Sequence, residues 1–138
     1  MKKRIINATN GNPADDSERS WTFLDGSKRT VVILETVAIG KGEYLPGWKW
    51  SKHVGAMTGK KSEAHIGYIL SGEMIIRAAD GKEVHIGPGE AFEAQPNHDA
   101  WVVGNTSCTA LDFTYLGNKE KLMEQSIQKI KKNKKIYF

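Results

Sequence analysis

Between residues 65 and 105, apolar and polar positions alternate in short runs, each closed by a turn former. Tyr68-Ile69-Leu70 and Met74-Ile75-Ile76 are apolar runs separated by Ser71-Gly72. Asp80-Gly81 stands between the second run and Val84-His85-Ile86. An Asp-Gly pair between such runs predicts a hairpin. Gly87-Pro88-Gly89 predicts the next turn, before Ala91-Phe92. Upstream, residues 21–24 and 30–38 read as strands joined through Asp25-Gly26-Ser27. Val31-Val32-Ile33-Leu34 reads as a strand buried on both faces or as part of a dimer interface. Residues 48–51 read as a further strand, with Trp48 and Trp50 on one face and Lys49 and Ser51 on the other. Strands this short and this regularly spaced predict an all-β sandwich or barrel. A barrel of that size holds one small ligand in its mouth.

The two ends read differently. Residues 1–29 contain a turn-rich stretch, Asn7 to Pro13, followed by Asp15, Asp16 and Glu18. They are expected to form an arm carrying one strand around residues 4–6. At the other end, Leu122/Met123, Ile127 and Ile130 recur at helical spacing and predict a C-terminal helix over 118–133 that packs on the barrel. Its lysines crowd the end where a helix dipole favours them.

Charge and composition sharpen this picture. The net charge of +4 is concentrated in residues 117–138, where seven lysines face two glutamates, leaving the rest of the chain near neutrality. No aromatic residues interleave with those lysines, so a solvated helix face is expected rather than a nucleic-acid or anionic-membrane surface. With 138 residues, 39% of them hydrophobic and 26% charged, one soluble domain is expected. No apolar run approaches the ~18 residues of a membrane span. The basic start MKKRIINATNG is not followed by an apolar stretch, which argues against a secretory signal. The single cysteine, Cys108, cannot pair internally and is expected to be a buried thiol. The expected location is cytoplasmic.

The YILSG segment (residues 68–72) and the GPGE segment (residues 87–90) resemble the two motifs of the cupin superfamily. A fuller resemblance is to a group of small bacterial cupins with PGWxWS, GYVLSG and PPGHDAWVVG segments. Here these read PGWKWS (46–51), GYILSG (67–72) and QPNHDAWVVG (95–104), within residues 30–116. Asn97 replaces the glycine of the last segment, a mild change because Asn tolerates φ > 0. The resemblance implies a single domain: a double-stranded β-helix (jelly-roll) barrel over residues 30–116, closed by the C-terminal helix. It implies no particular reaction.

The chain departs from the superfamily pattern at the metal ligands. Anchored on Gly72, the first motif places its acidic ligand at His65, and its H-x-H pair among Thr58, Gly59, Lys60 and Lys61, where no histidine stands. Anchored on Gly89 or Pro96, the second motif places its histidine at Ala100 or Trp101. Imidazole can replace carboxylate on zinc, iron or nickel, so His65 remains a candidate ligand. His53, after residues 48–51, and His98, in the loop beginning at Gln95, complete a candidate three-nitrogen set with open positions, the pattern of a catalytic metal. The alternative for each is a hydrogen-bonded rim or surface histidine. His85 alternates with Val84 and Ile86 and is expected to face solvent.

Two functions follow. In one, His65 and His98, assisted by His53, bind a divalent transition metal (zinc, iron, nickel or manganese) that acts on a small molecule in the barrel. In the other, the barrel is a metal-free, non-catalytic module that binds or senses a small organic ligand. The ligand pocket is expected to include Trp48, Trp50, Tyr68, Asp99 and Trp101, the last filling the metal's space if it points inward. Edge strands of such a barrel need covering, which predicts a homodimer.

Overall fold

The computed structural model describes residues 8–15 and 19–117. The strand expected around residues 4–6 and the helix expected over 118–133 lie outside the described residues. Nine strands lie among those described: β1 (Arg19–Thr22), β2 (Lys28–Ile33), β3 (Val37–Tyr44), β4 (His65–Ser71), β5 (Met74–Arg77), β6 (Glu83–Ile86), β7 (Ala91–Ala94), β8 (Asp99–Val102) and β9 (Cys108–Tyr115). All their pairings are antiparallel. One sheet runs β1-β2-β3-β9-β4-β7, the other β6-β5-β8. This is an all-β fold as the alternation predicts, in the two-sheet jelly-roll arrangement that the resemblance implies.

The hairpin at Asp80-Gly81 forms as expected. Gly81 has φ 93°. The Asp80 side chain accepts from the Lys82 N–H at 3.0 Å, and Ala78 N–H closes on the Lys82 carbonyl at 2.8 Å. β5 and β6 leave this turn in register, Ile76 opposite Val84 and Met74 opposite Ile86. At Gly87-Pro88-Gly89 the Glu90 N–H bonds back to the Gly87 carbonyl, 3.1 Å, and its carboxylate caps the Gly87 N–H at 2.7 Å. Asn97 takes φ 67° and is the one non-glycine residue with positive φ among those described.

Two strand expectations are corrected. The run 30–38 divides at a bend after Ile33, where the Leu34 N–H bonds the Val37 carbonyl at 2.9 Å, so its two parts belong to antiparallel neighbours. Residues 48–51 are not a strand. Lys49 makes a single bridge to Trp101, and Trp50 then enters a π-helical turn, Ser51–Gly55, that continues as Ala56–Thr58. The arm expected over 1–29 is also shorter than its composition suggests, since β1 pairs with β2 from Arg19 onward.

Burial follows strand alternation. Tyr44, Ile69, Ala94, Cys108 and Ala110 from the larger sheet meet Met74, Ile76, Ile86, Ala100 and Val102 from the smaller one in a single buried cluster. Trp48 and Val54 join that cluster from the 48–58 connection. Val31 and Val32 are both buried, so β2 is covered on both faces, and Val31 belongs to a separate small cluster with Ala38 and Leu116. Cys108 is fully buried, as expected of an unpaired thiol in an apolar strand. Among the described residues no helix is long and apolar enough to cross a membrane.

Candidate functional site

The inner face of the larger sheet is opened by glycines. Gly40 and Gly42 alternate with Tyr44 along the buried side of β3, and Gly67 does the same in β4. A glycine inside a strand commonly marks close approach by another group. Here a Cβ on Gly40 would lie 2.7 Å from both Arg29 Nη2 and Asp112 Oδ1. The Tyr44 ring lies against Gly42, and the Phe92 ring against Gly67. These glycines let an ion pair and two aromatic rings lie flat on the sheet.

The ion pair joins Arg29 of β2 to Asp112 of β9. Arg29 Nε donates to Asp112 Oδ2 at 3.0 Å, and Nη2 donates to Oδ1, a bidentate fork. Arg29 is 3% exposed and Asp112 9%. Beside them, burial and then the Asp112 carboxylate push the Tyr44 phenol well above its usual range, so it stays a neutral hydroxyl.

Above this floor lies a cavity of about 60 Å³, room for about four to six waters at roughly 10–15 Å³ each. Its walls are mainly apolar and include Trp48, Trp50, Val54, Met74, Ile76 and Phe92, with Ala100 and Ala110 leaving space by their small size. Arg29, Tyr44, Asp112, His65 and His98 supply its polar groups. Trp48 is 3% exposed, and its indole Nε1 is buried without a hydrogen-bond partner.

The structure brings His65 and His98 together and leaves His53 apart. The His65 and His98 rings stand edge to face, centroids 5.6 Å apart. His98 Nδ1 lies 2.8 Å from the Gln95 carbonyl. A carbonyl only accepts, so Nδ1 carries the proton and Nε2 is left as an acceptor. Burial lowers the His98 pKa, against smaller opposing effects of the Gln95 bond and the Asp99 charge, and so favours this neutral form. His53 instead accepts the Lys49 N–H on Nδ1 at 3.0 Å, inside its own helical turn, and does not line the cavity. Among the described residues no three His, Cys, Asp or Glu side chains gather where they could hold a metal ion. Two imidazoles fall short of the three protein ligands of a catalytic metal site, so this donor set does not fit one.

The aromatic and acidic candidates separate as well. Trp48 and Trp50 both line the cavity, though not as strand neighbours. Trp50 gets there by folding its ring back over Gly55, whose Cβ would lie 2.7 Å from the indole. Trp101 points away from it: in β8, Ala100 and Val102 are the buried positions, and Lys49 Nζ sits 5.1 Å over the Trp101 ring. Tyr68 lies on the outward side of β4 with 39% exposure, beside Ile66 and Leu70. Asp99 accepts the Ser51 N–H (2.9 Å) and hydroxyl (2.8 Å), fixing the start of the helical turn that carries Trp50. His85 faces solvent and pairs with Glu73 at 2.8 Å.

Sequence reasoning missed Arg29, Asp112, Tyr44 and Phe92. Asp112 was legible: a lone acid in the strand CTALDFTY shares the inward face of Cys108 and Ala110. Arg29 was not, since it precedes the apolar run of β2 and its partner is 83 residues away.

Comparison with known proteins supports the same architecture. Residues 47–109 match the family model of the EutQ-like cupin domain. A protein of unknown function from Vibrio parahaemolyticus superposes with TM-score 0.54 at 13% identity, covering 69% of this chain and 95% of that one. A double-stranded β-helix protein from Klebsiella pneumoniae does so with TM-score 0.51 at 15% identity, covering 82% and 94%. A sugar phosphate isomerase of the cupin superfamily from Silicibacter pomeroyi gives 0.52 at 13% identity, covering 71% of each chain. At these identities the likeness is one of fold. No curated protein matches the sequence.

Proposed function

We propose that this chain, which matches the EutQ-like cupin domain over residues 47–109, binds a small polar organic molecule in the cavity between its sheets, without a metal. The observation that carries this reading is the Trp48 indole. A buried N–H without a partner costs about 1–3 kcal/mol, and this one belongs to a residue that lines the cavity. A ligand carbonyl or hydroxyl oxygen would satisfy it. His98 Nε2 would accept from a ligand hydroxyl, and the Trp50 and Phe92 rings would cover its carbon skeleton. The size of the cavity favours a body of two to four carbons.

The four tryptophans, Trp21, Trp48, Trp50 and Trp101, allow a direct test. In a ¹⁵N–¹H correlation spectrum, a panel of two- to four-carbon hydroxy acids, hydroxyamides and polyols would be titrated against the full chain. Binding compounds should move the indole signals of Trp48 and Trp50 and leave Trp101 in place. Shifts confined to Trp101 or Trp21, or no shift from any compound, would refute the reading.

A further inference from the structure

We infer that the ligand is an organic anion, a carboxylate or phosphate monoester whose charged end rests outside the cavity on a cationic rim. This inference rests on the cavity-binding reading above and specifies the class of molecule it takes. Trp50 and His98 line both the cavity and a depression on the outer surface, so the two spaces adjoin at these residues. The depression carries Lys60, Lys61 and Arg77 against a single acid, Asp99. Both oxygens of Asp99 are already committed to Ser51, with the Ser51 N–H and hydroxyl each donating to one of them. Arg77 stands opposite Asp99 in β8 and Glu83 in β6, and Glu83 does not line the depression.

The lysines are held beside His98 by the backbone. Ser62, next to Lys61, donates its hydroxyl to the His98 carbonyl at 2.6 Å, and its own carbonyl accepts the Asn97 N–H at 3.1 Å. Those two bonds tie the lysine-bearing loop to the His98 loop. The interior offers an anion nothing comparable, because its one guanidinium is forked onto Asp112. Neutral His98 adds no charge. A ligand with an uncharged body and an anionic end therefore matches both spaces, its body against Trp48 and Trp50 and its charge toward Lys60, Lys61 and Arg77. Carboxylate and phosphate share this chemistry, and a rim of ammonium and guanidinium groups accepts either.

The test pairs probes of similar body and different charge: glycolate against glycolamide, and glycerate and glycerol 3-phosphate against glycerol. Tryptophan fluorescence and melting temperature would be read on the full chain and on a K60Q/K61Q/R77Q variant. These surface changes should leave the fold intact, which the unliganded melting temperature checks. The anions should bind at least tenfold more tightly than their neutral counterparts. That advantage should shrink with added salt and largely vanish in the variant. Whether glycerate or glycerol 3-phosphate leads identifies the anion. If neutral probes bind as tightly as anions, and the variant binds both unchanged, the anion inference fails while the cavity reading stands. If no probe of either kind changes the fluorescence or the melting temperature, both fail.

Discussion

Arg29 reaches across a whole strand to Asp112. In the sheet order β2-β3-β9 the two residues are separated by β3, and their fork passes over Gly40, which is register-paired with Asp112. Gly42, the register partner of Arg29, is likewise without a side chain. The pair is thus the floor of the cavity and a tie between three strands.

Removing one member of this pair should be expensive. R29M strands a buried carboxylate and D112L a buried guanidinium, each costing about 3–5 kcal/mol. The double variant R29M/D112L should recover most of that loss, because it removes both charges and keeps the volume. Urea denaturation of the three variants measures this, and single variants within about 1 kcal/mol of the parent would contradict it.

Gly40→Ala places a methyl group against both charged side chains, so it should cost about 1–3 kcal/mol through overpacking. Gly87→Ala is the control, since only Glu90 Oε1 comes within 4 Å of its Cβ, at 3.7 Å. Equal melting temperatures for the two variants would show that the inner face has slack.

His98 should make stability pH-dependent. Burial lowers its folded-state pKa below the ordinary value of 6.5. The unfolded chain then binds more protons in the window just below pH 6.5, so stability falls as pH drops through that window and is flat above it. H98Q should flatten the slope between pH 7.5 and 5.5. An unchanged slope in H98Q would assign the effect to other groups.

Two imidazoles should hold a metal only weakly. Zinc, nickel or manganese in tenfold excess should raise the melting temperature by less than about 1 °C. A rise of several degrees that disappears in both H65A and H98A would restore a metal to this site.

Cys108 should be inert in the folded protein. It is fully buried, and desolvation pushes its thiol up to about 11. Iodoacetamide at pH 8 should label it only after denaturant is added. Labelling of the native chain at the unfolded rate would show that β9 opens readily.

Local chemistry made much of the fold legible. The Asp80-Gly81 hairpin, the Gly87–Gly89 turn, the positive φ at Asn97 and the burial of Cys108 each depend on residues near in sequence, so pattern and propensity suffice for them. The segment 48–51 was misread because its apolar spacing suits a strand. A single bridge at Lys49 and the Asp99–Ser51 bonds instead turn it into a helix, and Asp99 lies 48 residues away. Motif spacing points to His65, and chain position adds His53 and His98 near predicted strand ends. Only the packed sheets show that His65 and His98 face each other while His53 caps its own turn. The inward face of Asp112 follows from alternation in β9, but its pairing with Arg29 is beyond reach for the same reason. Their meeting depends on which strands lie between them and on a glycine that leaves the way clear. Alternation along a strand sets which face a residue takes, and the order of strands in the sheet decides whom it meets there.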